Sequence, residues 1–90
     1  MQQRNIPINV ICKFVGNPCE APTPIKFQFA RKDESLATVS VDQVKDIEHQ
    51  SPMSNHIITY RCMTLQEDCQ IGYELRYWVG EMRWELSRFL

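Results

Sequence analysis

Strict two-residue alternation near the C-terminal end constrains this chain more than any other feature. Ile71, Tyr73, Leu75, Tyr77 and Val79 alternate with Glu74, Arg76 and Trp78; after Gly80-Glu81, Met82, Trp84 and Leu86 alternate with Arg83, Glu85 and Ser87. Successive side chains of an extended strand point to opposite faces, so each run builds one apolar and one polar face. Two such runs separated by a short Gly-containing break predict a tight hairpin. Tyr73, Leu75, Tyr77, Trp84 and Leu86 are then expected to be buried, as on the inner side of a one-sided sheet. The outer side interleaves Glu74, Arg76, Arg83 and Glu85, with Arg61 from an earlier strand, as cross-strand pairs of opposite charge.

Upstream, strand signals continue. Ile6 to Val15 alternates around Ile6, Ile8 and Val10 and then shifts through Ile11, Cys12 and Phe14. Residues 16–24 hold three of the five prolines and so read as a loop, because proline cannot donate to a ladder. Ile25, Phe27 and Phe29 give another period-2 strand, Arg31 to Glu34 a charged turn, and Leu36 to Val41 a short β-branched strand. From there the pattern is ambiguous. Val41, Val44 and Ile47 are three apart and Ser40 with Gln43 fits a capping box, so a short helix over 41–49 competes evenly with an irregular strand extension. Ser51 to Asn55 reads as a turn, and His56 to Leu65 as a further strand.

Ninety residues suffice for one core, since a chain of this size hides roughly 65% of its unfolded surface. The fold expected is therefore a single domain over residues 1–90, mainly β, with five or six antiparallel strands in a small barrel or strongly curled sheet. Residues 1–5 are expected as a disordered N-terminal tail. An α+β arrangement, with the helix near 41–49, is the alternative.

Residues 24–90 also resemble small uncharacterised bacterial β-rich single-domain proteins. The likeness rests on Pro24-Ile25-Lys26-Phe27-Gln28-Phe29, on Tyr73-Glu74-Leu75-Arg76-Tyr77 and on Trp84-Glu85-Leu86. It implies a fold and brings no activity, and the cysteines stand outside it.

Functional signals are sparse. The polar start and the lack of a long apolar run predict a cytoplasmic protein with reduced thiols and no membrane segment. Cys12 and Cys19, like Cys62 and Cys69, are seven apart, and His49 and His56 repeat that interval. Structural zinc prefers pairs two to four residues apart, so these four cysteines are read as structural thiols; they are the ligands if any metal binds. No cofactor is expected. No phosphate loop, nucleophile elbow or metal-protease helix is present, and with three glycines in the chain a phosphate cradle has little material; the protein is read as no enzyme. Lys plus Arg is 10 against 11 for Asp plus Glu, and the arginines interleave with glutamates, so nucleic acid is disfavoured as a partner. What remains is a non-catalytic accessory or protein-interaction domain, with a small nucleic-acid-binding β-barrel as runner-up and a thiolate metal-binding domain third. The binding residues expected are Trp78, Arg76, Arg61 and Lys26, provided they share one exposed patch.

Overall fold

The computed structural model describes residues 2–14, 21–51, 53 and 55–90, with side chains from Asn5 onward. The strands are β1 (Gln2–Lys13), β2 (Thr23–Ala30), β3 (Leu36–Ser40), β4 (Gln43–Gln50), β5 (Ile57–Gln66), β6 (Cys69–Trp78) and β7 (Arg83–Phe89). They form one antiparallel sheet in the order β3-β2-β1-β7-β6-β5-β4, curled into a half-barrel. No α-helix occurs among the described residues, hence none long and apolar enough to cross a membrane.

The curl follows from β1. Its first part, Gln2 to Ile8, pairs with β7, and its second part, Asn9 to Lys13, pairs with β2. One strand thus belongs to two walls, and the edge strands β3 and β4 return toward each other. Residues 41 and 42 bridge that corner: Val41 N–H donates to the Ile25 carbonyl, and Asp42 N–H to the Met63 carbonyl. The enclosed face carries the core, where Phe27 from β2 meets Tyr73 from β6 at 5.3 Å between ring centres. Trp84 lies 4.7 Å from Tyr77 and 5.3 Å from Tyr60, in the range of attractive tilted aromatic pairs. All five residues expected to be buried from the closing alternation are so, none above 7% exposed.

Several expectations need correction. Seven strands lie among the described residues instead of five or six, and the segment read as a possible helix over 41–49 is β4. A β-bulge explains the misleading spacing. Val44 pairs with Cys62 and Asp46 with Arg61, so Lys45 is an extra residue that shifts the phase by one. Val44 and Ile47, three apart, therefore both face the core side, opposite Cys62 and Tyr60. Ser40 caps no helix; its carbonyl accepts the Thr64 hydroxyl. The stretch read as a tail is strand from Gln2 onward, pairing with Phe89 and Arg88, and the register shift between Gln3 and Ile6 is accommodated by Asn5 in the left-handed region (φ 49°). Ile25 is a second bulge residue, skipped between Ile11↔Lys26 and Cys12↔Pro24, which turns Pro24 inward and leaves Ile25 exposed. Met82 closes the last hairpin with positive φ and stays exposed instead of continuing the inward alternation.

Candidate functional site

Antiparallel pairing of β4 to β7 aligns their outward side chains into rows, with Lys45 on β4 and Ser87 on β7 as bulge residues. One row runs Asp46, Arg61, Glu74, Arg88, and the next runs Glu48, Thr59, Arg76, Glu85. Signs alternate along the first row. Arg88 Nε lies 2.7 Å from Glu74, and Arg61 stands 3.9 Å from both Glu74 and Asp46. Glu85 of the second row is held at 3.1 Å by Nη1 of Arg83, two residues earlier on β7, with Arg76 Nη1 at 3.9 Å on the other carboxylate oxygen. Glu74 and Glu85 are only 6% and 7% exposed although they sit on the polar face. A carboxylate so far from water needs partners, and each has two arginines whose stems also cover it.

Between these arginines lies a groove of about 420 Å³, with Thr59, Arg61, Glu74, Arg76, Ser87 and Arg88 among its walls. Ser87 is fully buried and Thr59 is 7% exposed, yet the hydroxyls of both, and Nε of Arg76, find no hydrogen-bond partner among the described residues. These groups sit on adjacent strands, Thr59 directly opposite Arg76. Each buried polar group left unpaired costs about 1–3 kcal/mol. A ligand offering oxygen acceptors would restore those bonds.

The expected site residues divide. Arg61 and Arg76 do share this groove. Trp78 occupies the same face one row further, half-buried, with the Arg83 guanidinium 4.5 Å above its ring. Lys26 does not join them. It lies on β2, with β1 and β7 intervening before β6, and lines a separate depression with Asn9, Ile11 and Gln28. Thr59 and Ser87 were absent from the expected set, because a small hydroxyl at an outward position reads as solvated; only the neighbouring long arginines signal that it will be covered.

The thiols and imidazoles behave differently. Cys12 and Cys62 belong to the core, and burial pushes the Cys62 thiol up to about 12 and the Cys12 thiol upward as well. Cys69 is exposed at the β5–β6 turn opposite Gln66, out of register with Cys62. Cys19 lies outside the described residues. No three His, Cys, Asp or Glu side chains gather as metal ligands among the described residues. His49 and His56 do meet across the β4–β5 connection, Nδ1 to Nε2 at 3.0 Å, as a hydrogen-bonded pair.

Comparison with protein-family models, with curated proteins and with solved structures finds no match for this chain.

Proposed function

We propose that the chain is a non-catalytic interaction module and that a protein partner docks on the polar face of β5, β6 and β7. One observation carries this reading: three residues that line the groove, Thr59, Arg76 and Ser87, each hold a buried polar atom just beneath its surface with no hydrogen-bond partner among the described residues. Such atoms weaken the free protein and favour any complex that satisfies them. A nucleic-acid reader needs cations converging on one face. Here Arg61, Arg76, Arg83 and Arg88 are each within 4 Å of a glutamate, so their charge is largely compensated and the protein partner is the better fit.

Selection of displayed random peptides against the folded protein tests the reading without a known partner. Enriched peptides are expected to bind the wild-type chain and to lose binding to the Arg61→Glu/Arg76→Glu variant. Labelled single-stranded oligonucleotides, followed by fluorescence anisotropy at about 150 mM salt, are expected to show no saturable binding, because screening is already substantial there. Low-micromolar oligonucleotide binding that Arg76→Glu weakens would transfer the face to the nucleic-acid reading.

A further inference from the structure

The chemistry of the groove narrows what the partner brings to it. Four arginines, Arg61, Arg76, Arg83 and Arg88, surround two central carboxylates, Glu74 and Glu85. Each carboxylate is gripped closely by one arginine, Glu74 by Arg88 at 2.7 Å and Glu85 by Arg83 at 3.1 Å. Arg61 and Arg76 are second partners at 3.9 Å, beyond hydrogen-bond range. Arg61 also meets Asp46 at 3.9 Å and Arg83 meets Glu81 at 3.0 Å, so the charges of the face balance and what the centre lacks is an acceptor for the Arg76 Nε–H. Arg76 meets Glu85 through Nη1, and its Nε–H has no hydrogen-bond partner among the described residues; that side of a guanidinium matches a carboxylate in a two-point grip. Beside it stand the hydroxyls of Ser87 and Thr59, both over nine-tenths buried and both able to donate.

We propose that the groove receives an acidic side chain, Asp or Glu, of the protein partner, its carboxylate held by the Nε side of Arg76 and by the Thr59 and Ser87 hydroxyls. This rests on the reading that a protein docks on this face. Arg61, exposed and loosely paired, is free to turn onto the incoming carboxylate. A doubly charged phosphate fits less well, because Glu48 and Glu74 line the same groove and repel a second negative charge. A chain-terminal carboxylate is usually captured by clustered backbone N–H groups, and here the backbone of β5, β6 and β7 is committed to the sheet ladders.

The test is a nuclear magnetic resonance titration of the isotope-labelled protein with the blocked tripeptide acetyl-Ala-Glu-Ala-amide, following the Arg76 Nε–H signal. A saturable shift is expected with this peptide and none with acetyl-Ala-Gln-Ala-amide. Arg76→Lys, which keeps the charge and loses the planar fork, is expected to weaken binding at least about tenfold. Ser87→Ala, a small change in a folded background, is expected to weaken it as well. Equal response to the Gln peptide, tighter binding of inorganic phosphate, or undiminished binding to both variants would overturn the assignment. If these arms fail while displayed peptides still need Arg61 and Arg76, the carboxylate assignment falls and the docking face stands; if the displayed peptides fail too, both fall.

Discussion

Thr64 has one hydroxyl hydrogen, and it goes to the Ser40 carbonyl, so the Tyr73 phenol 2.6 Å away must be the donor to Thr64. Tyr60 likewise donates to the Pro22 carbonyl. Both phenols work only while protonated, and burial favours that form: it pushes Tyr73 up to about 12 and Tyr60 upward too, as it does Cys62, to about 12. All three are neutral when protonated, and unfolding returns them to ordinary values of 9.0 for the thiol and 10.0 for the phenols. As pH rises the unfolded chain loses these protons first. Their contribution is thus fully present below pH 9 and is lost as pH climbs toward 12. At pH 10.5 the Cys62 thiol alone should cost about 2 kcal/mol, read as a lower denaturant midpoint than at pH 8, and Cys62→Ala should flatten that decline. A midpoint unchanged between the two pH values would contradict the burial argument. Trp84 anchors the same cluster against Tyr60 and Tyr77. Trp84→Ala should lower stability by about 3–5 kcal/mol in denaturant melts, and a loss below about 1 kcal/mol would mean the ring is not a core residue.

Among the elements, the β5–β6 hairpin is the most regular, with paired residues from Ile57↔Trp78 to Gln66↔Cys69. Its two turn residues, Glu67 and Asp68, both have positive φ (49° and 63°), the geometry of a type I′ turn whose twist matches that of the flanking strands. Neither residue is the best for that backbone. Replacing them with Asn-Gly should raise stability by about 0.5–1 kcal/mol, measured by chemical denaturation, whereas a loss would show that the side chains of Glu67 and Asp68 contribute more than the strain they impose. The same view separates what was legible in the sequence from what was not. Stretches with unbroken alternation, β6 and β7 as far as Leu86 above all, declared both their type and their buried faces, whereas beyond the bulge at Ser87 it is Phe89 and not Arg88 that faces the core. Where a bulge intervenes, alternation fails: Lys45 made β4 imitate a helix, and Ile25 left the face of Phe27 and Phe29. Bulges depend on what the neighbouring strand offers, which a local pattern does not contain. The site divides similarly. Arg61 and Arg76 were readable as outward cations, while grouping them with Lys26 required the strand order, and the covering of Thr59 and Ser87 required knowing which arginines lie beside them.

At the scale of the whole molecule, the half-barrel presents two edge strands that could recruit other chains, and each is protected differently. β4 carries Lys45, Asp46 and Glu48 and a bulge, features that discourage edge pairing. β3 has five uncharged residues, and its brevity limits what could add to it. Between the two edges, Val41 and Asp42 tie β2 to β5 through backbone hydrogen bonds, and the Asp42 carboxylate accepts the Leu65 N–H at 2.7 Å. Thr64 adds its bond to the Ser40 carbonyl at the same corner. The core is concentrated elsewhere, on β5, β6 and β7, where Tyr73, Leu75 and Leu86 are fully buried. Opening the corner should therefore cost little globally while freeing its own amides. Asp42→Ala removes one acceptor whose partner, the Leu65 N–H, is near solvent, so the expected loss of global stability is about 1 kcal/mol. Hydrogen exchange at Val41, Asp42 and Leu65 should accelerate, while Leu75 and Leu86 keep their protection relative to the new global stability, since local openings draw on the least packed part of a fold. If instead the amides of β6 and β7 lose protection as much as those of the corner, the half-barrel opens as one unit and the corner is part of its cooperative core.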